Sequence, residues 1–309
     1  MELLGDVYLN MGVIELNYIE DSSHLKRAGE YFSKAEAFFR AIGIEDGLAT
    51  SLVNRAAVLQ LTGGNYEQEV KMLNEAKEIF EETKSPYLLA SCIKTMSMSE
   101  RNVGRNDLAV GHLVEALEIA KENYYYDLMG AIQLEVGQNQ HYVGFLENAE
   151  DHLYRAKHIF EDLGDKKQLA YALGNLGVVA EKKRDFKLAL NRHGSALNLF
   201  EGIGFNPGIA NESRNVGNLI GILGIMNNRP ASFEEASSRI HKAIDIHEQF
   251  GDRYAQAVDL KLLAGLNCNW QKYTEAVMLA GQALLIYEEI NNQDGIQEVK
   301  NLINTCSKK

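Results

Sequence analysis

The chain has 309 residues and a formal charge of −12, from 31 Lys and Arg against 43 Asp and Glu, with no basic cluster. That balance argues against sequence-independent nucleic-acid binding, which needs cations to displace phosphate counterions, and against docking on anionic membranes. Hydrophobic residues make up 46% and charged residues 24%, ordinary for a folded chain, and no apolar run approaches the roughly 20 residues of a membrane span. The N-terminus, MELLGDVYLN, has neither a basic n-region nor an apolar h-region. Cys92, Cys268 and Cys306 are far apart and odd in number, with no metal-ligand spacing and no disulfide framework, so a reducing, cytoplasmic setting is expected.

In chain order, a small residue recurs seven positions before an alanine. The pairs are Ala28/Ala35, Glu69/Ala76, Ala109/Ala116, Ala149/Ala156, Ala189/Ala196, Ala236/Ala243 and Ala276/Ala283, with Glu69 the one departure. Successive pairs are 41, 40, 40, 40, 47 and 40 residues apart, the signature of a repeat array. Seven residues is close to two helical turns, so both small side chains share a face that a neighbouring helix can approach closely. Four residues later the same face carries Phe39, Phe80, Phe160, Phe200 or Tyr287, with Ala120 and His247 as exceptions. An alternating small and large face suits interlocking helices.

A second helical pattern precedes each pair. Repeats are expected at roughly 4–43, 46–83, 86–123, 127–164, 167–204, 207–251 and 253–291, with a capping helix at 294–306, in one domain over 1–309. Ser85-Pro86 and Asn206-Pro207 read as helix starts, an N-cap followed by proline. Gly43, Gly164, Gly204 and Gly251 read as left-handed caps past the second helix of their units.

The fifth unit is the clearest: Asn175-Leu176-Gly177, the turn Asp185-Phe186, then Ala189 and Ala196. This pattern resembles a tetratricopeptide repeat (TPR), and related triplets recur at Asn10-Met11-Gly12 and Asn215-Val216-Gly217. The resemblance implies an all-α, right-handed solenoid of seven helix-turn-helix repeats plus a capping helix. The 40-residue spacing, with openings Gly47-Leu48-Ala49 and Gly208-Ile209-Ala210, is similar to two subgroups: LGN/Pins-type adaptors and the Rap/NprR-type peptide-sensing solenoids. The first repeat begins within a few residues of Met1, so the N-terminal effector module of the sensors is not expected.

Two units depart from the period. The 47-residue interval holds seven extra residues within 217–230, read as two added turns on one helix with an unchanged face; a protruding or self-associating surface is the functional alternative. Repeat one carries about four extra residues around Tyr18–His24.

In the family the first helix of each pair lines a concave groove. By register the inward face includes Asn10, Asn54, Lys94, Thr95, Arg101, Glu135, Gln138, His141, Tyr171, Asn175, Arg214, Asn215, Asn218 and Lys261. Asn54, Lys94, Arg101, Gln138, His141, Tyr171, Asn175, Arg214, Asn215 and Asn218 are the candidate ligand-binding set. Asparagine amides can grip a peptide backbone, and Arg214 or Lys94 a carboxylate. Too few cations occupy these positions for the carboxylate clamp of chaperone adaptors. Trp270 and Tyr124–Tyr126 read as packing residues.

No phosphate loop, nucleophile elbow, HExxH or CxxC occurs, so neither catalysis nor a cofactor or metal is expected. The chain therefore reads as a protein- or peptide-binding scaffold whose partner is an extended or helical segment. The alternatives are a peptide-sensing regulator without its effector module and a self-assembling repeat protein that forms a homodimer.

Overall fold

A computed structural model describes residues 2–16 and 22–308, and is all-helical over those residues. Fifteen helices occur among them, in two compact units. In the unit spanning 1–165, α1 (Glu2–Leu16) pairs with α2 (Ser22–Ile42) and α3 (Glu45–Leu61) with α4 (Tyr66–Glu82). There too α5 (Pro86–Asn102) pairs with α6 (Asn106–Glu122), and α7 (Tyr126–Tyr142) with α8 (Leu146–Leu163). In the unit spanning 166–309, α9 (Lys166–Lys182) pairs with α10 (Phe186–Ile203) and α11 (Asn206–Met226) with α12 (Ser232–Phe250). The last pair is α13 (Arg253–Asn269) with α14 (Tyr273–Glu289), followed by α15 (Gln293–Ser307). Within each unit a pair packs against its neighbour, as an all-α repeat solenoid requires. No helix among the described residues is long and apolar enough to cross a membrane.

The alanine periodicity is the packing code of the interior. All thirteen alanines of the seven pairs are at most 1% exposed. Glu69, the exception, is also buried, and its Oε2 accepts from Ser99 Oγ at 3.1 Å. The aromatic positions explain the Gly-x-Ala openings. A Cβ on Gly208 would lie 2.4–2.6 Å from three ring atoms of Phe200; Gly47 stands against Phe39 and Gly295 against Tyr287 in the same way. Where the aromatic is replaced by Ala120, the matching position of the next helix is Leu128, and both share one core cluster. Volume is conserved across the contact, which is what close packing demands.

Gly43, Gly164, Gly204 and Gly251 adopt φ between 67° and 75°, the left-handed caps expected of them. Ser85 is the N-cap of α5, but its hydroxyl donates to Asp46 Oδ2 at 2.7 Å rather than receiving a helix N–H. Phe205, not Asn206, takes the N-cap of α11, and Asn206 is already helical.

Two expectations need correction. The seven extra residues of the sixth repeat are not two turns of one helix. α11 has 21 residues against 17 in α9, the turn 227–231 has two more residues than 183–185, and α12 has one more than α10. Helix extension thus absorbs one turn and the loop most of the remainder. The second correction concerns the cysteines. Cys268 and Cys306 form a disulfide with Cα atoms 5.7 Å apart, joining α13 to α15, while Cys92 alone stays free and buried. The extra residues expected near Tyr18–His24 fall mostly at 17–21, outside the described residues.

Candidate functional site

The repeat register places predicted residues on equivalent rungs of the first helices. Asn54, Thr95 and Glu135 are each the tenth residue of α3, α5 and α7; Arg101 and His141 are each the sixteenth of α5 and α7. Equivalent rungs on adjacent helices lie side by side. Arg101, Gln138 and His141 accordingly meet around one cleft of about 420 Å³, completed by Asn102 and Tyr142. Tyr142 is 76% exposed and does not contribute to the core.

Arg101 is fixed from behind. Its Nη1 donates to Glu135 Oε1 and, at 3.1 Å, to Asn139 Oδ1, both on α7. A guanidinium has five N–H donors, so this anchoring leaves Nε and Nη2 for a ligand. His141 Nδ1 meets the Gln138 carbonyl at 2.8 Å, which orients the ring at the helix end. Desolvation lowers the Lys94 ammonium pKa; Arg101 pushes the same way and Glu135 opposes it. Asn54 is half-buried on α3 and Asn10 exposed on α1; neither joins this cleft.

In the second unit the candidates divide by what they already bind. Tyr171 packs edge-on against Phe200 and Phe205, with centroids 5.2 and 6.2 Å away. Asn175 Nδ2 donates to the Tyr171 carbonyl at 2.8 Å, a bond within its own helix. Arg214 Nη1 reaches Asp259 Oδ1 at 3.3 Å, and its Nε lies 3.5 Å from Asn215 Oδ1. Asp259 is fully buried, and its other oxygen accepts from His247 Nδ1 at 2.8 Å. Lys261 pairs with Glu298 of α15 and lies over the Tyr287 ring. Asn218 is half-buried on the face of α11.

Sequence reasoning missed the buried ionic pairs of this unit. His193 occupies the position held by Leu73, Leu113 and Leu153 in earlier repeats, yet it is fully buried. Its Nδ1 lies 2.6 Å from Glu212 Oε2 and its Nε2 3.0 Å from Glu181 Oε1. Only the imidazolium can donate from both nitrogens. Burial alone would depress the pKa, but the hydrogen bonds that His193 donates to Glu181 and Glu212 outweigh it and raise it to about 9. Gly174 and Gly177 make room: a Cβ on either would lie 2.5 Å from Glu212 Oε1 or His193 Nε2. The available signal was a polar residue at a core position in two successive repeats, His193 and His247.

Paired helices at a 40-residue pitch, interlocked through Ala positions and closed by a capping helix, define the tetratricopeptide-repeat fold. Solved structures agree. The chain is similar to a signal transduction ATPase with numerous domains carrying a tetratricopeptide repeat sensor, from Pyrococcus horikoshii (TM-score 0.66, 16% identity, covering 97% of this chain and 42% of that one). It is similar to BtubC from P. vanneervenii (TM-score 0.61, 20% identity, 74% and 92%). It is also similar to a Rap protein complexed with competence and sporulation factor (TM-score 0.58, 15% identity, 93% and 80%). No family model matches the chain, and no curated protein matches it by sequence.

Proposed function

We propose that the chain is a non-catalytic protein-binding scaffold that takes a polypeptide segment against the first helices of its repeats. The observation that carries this reading is the convergence of Arg101, Gln138 and His141 on one cleft beside the exposed ring of Tyr142. A preorganised guanidinium, an amide and an aromatic edge are what a peptide backbone with an acidic or amide side chain needs. Asn215 and Asn218 are the second set in this proposal; Arg214 is held by Asp259 and serves chiefly to position Asn215.

Peptide display on the immobilised chain, followed by anisotropy with the enriched peptides, tests the reading. Gln138→Ala and Tyr142→Ala should each weaken binding, on the order of five- to tenfold. Enriched peptides that bind both variants as tightly as the unaltered chain would remove this cleft from the proposal.

A regulatory variant of the reading takes support from the similarity to the Rap complex, whose ligand is competence and sporulation factor. It predicts that a bound peptide also changes the radius of gyration in solution, whereas a passive scaffold keeps it. The cytoplasmic setting stays part of the proposal, and trapping thiols in intact cells with N-ethylmaleimide tests it. A Cys268–Cys306 pair found fully oxidised would place the chain in an oxidising compartment.

A further inference from the structure

The insertion in the sixth repeat recasts a cleft between neighbouring pairs: at the same register of the third and fourth repeats Asp107, Val110, Gln140 and Val143 line it, whereas here Lys187 and, on the lengthened turn, Arg229 do. α11 continues one turn beyond the level at which α9 stops, and the long turn 227–231 brings the chain back into α12. Lys187 and Leu190 of α10, Ile220 and Leu223 of α11, and Arg229 and Ser232 around the turn enclose about 360 Å³. Leu190, Ile220 and Leu223 are half-buried, while Lys187 and Arg229 are exposed.

Neither cation has a side-chain partner among the described residues, and the acids near them are already engaged. Asp185 caps α10, accepting from Leu188 N at 3.0 Å. Glu181 meets His193, Glu234 lies 3.6 Å from Lys272, and Glu235 lies 3.5 Å from Arg239. Two other cations of this unit are paired across repeats, Lys242 with Glu201 at 2.7 Å and Arg214 with Asp259. The charge of the whole chain hides this imbalance. Residues 1–165 hold 28 Asp and Glu against 14 Lys and Arg, whereas residues 166–309 hold 15 against 17. Repulsion from more distant carboxylates is screened over a Debye length of about 8 Å.

We infer that this cleft binds an anionic side chain, a carboxylate or a phosphate, on an acidic peptide segment. Lys187 and Arg229 supply the charge, Arg229 in bidentate geometry, and the Leu190–Ile220–Leu223 wall takes the apolar part of the segment. Two cations suit one or two anionic groups. A nucleic-acid strand presents a long row of phosphates that an otherwise acidic chain would repel. The site involves different residues from the Arg101 cleft and stands independently of it.

The test is fluorescence anisotropy on the full chain with four labelled probes: hexaglutamate, a phosphoserine peptide, hexaglutamine and a thymidine oligonucleotide, at about 50 mM salt. Hexaglutamate or the phosphoserine peptide should bind, and the double variant Lys187→Gln/Arg229→Gln should weaken that binding on the order of tenfold. Hexaglutamine should bind more weakly than the acidic probes, and Lys242→Gln, which lines neither cleft, should bind them like the unaltered chain. A loss confined to the phosphoserine peptide assigns phosphate as the ligand group; a loss for both assigns either anion. The substituted side chains are exposed, and an unchanged circular-dichroism melt shows that the fold is intact. The inference is overturned if neither acidic probe binds, if the double variant binds them equally well, or if hexaglutamine or the oligonucleotide binds as tightly.

Discussion

His193 Nδ1 and Glu212 Oε2 lie 2.6 Å apart in the interior of the second unit, at a contact where repeats two and three place Leu73 with Cys92 and Leu113 with Ile132. The pair replaces apolar packing by a charged contact completed by Glu181. A buried ion pair exchanges a large desolvation cost for its Coulomb attraction, so its protonation state becomes part of the stability of the fold.

The sign of that dependence is fixed by the upward shift. A histidine whose folded pKa is about 9, against about 6.5 unfolded, contributes fully below pH 6.5 and loses its contribution as pH rises through 9. The loss amounts to about 2–3 kcal/mol. Melting followed by circular dichroism at pH 7 and pH 9.5 should show a drop for the unaltered chain. His193→Leu with Glu212→Ala should show a smaller one, since no buried charge is then lost.

Gly208→Ala should destabilise. The helix gains up to about 1 kcal/mol of intrinsic propensity, but the new methyl meets the buried Phe200 ring, and such overpacking costs about 1–3 kcal/mol. Gly111→Ala in α6, where nothing lies within 4 Å, should keep the gain and stabilise. Urea midpoints of the two variants should therefore move in opposite directions.

Reduction should loosen the C-terminus. The Cys268–Cys306 bond closes 38 residues, and in the chain-entropy account that constraint is worth about 3–4 kcal/mol. Amide hydrogen exchange in α15 should accelerate after reduction, while exchange in α3–α4 is unchanged. Cys92 is buried, its thiol pushed up to about 12, and it should react with maleimide only on unfolding.

Arg214→Ala should lower stability by about 1–3 kcal/mol, the cost of depriving a buried acceptor of one partner, because Asp259 then keeps only its bond to His247. Asn218→Ala should leave the melt within about 0.5 kcal/mol of the unaltered chain. Loss of binding in Asn218→Ala, but not in Arg214→Ala, is then attributable to the ligand.

Much of this architecture was legible in the amino-acid sequence, because alanines seven apart and a 40-residue period report helix faces directly. The period also placed Arg101 and His141 on one rung. It did not reveal who holds whom between neighbouring repeats. Arg101–Glu135, His193–Glu212 and Arg214–Asp259 span 34, 19 and 45 residues, because side-chain reach and helix stagger, not the period, choose the partner. The disulfide left a trace that went unread: 38 is two short of a repeat, which brings Cys268 of α13 near Cys306 of α15. Lys187 and Arg229, 42 apart, escaped for the same reason, since a reading for local basic runs cannot see a cluster assembled across a repeat.

The lengthened sixth pair is followed by α13, which starts behind Gly251 at φ 75° and an Asp252 cap bonded to Ala255 N at 2.9 Å, as if nothing upstream had changed. In such an array each pair answers only to those beside it. Growth of one member is therefore absorbed where it occurs, and the shared interior need not be redrawn. New chemistry enters this molecule by lengthening a bend at its margin, a route open to an array of small units and closed to a chain folded around one common core.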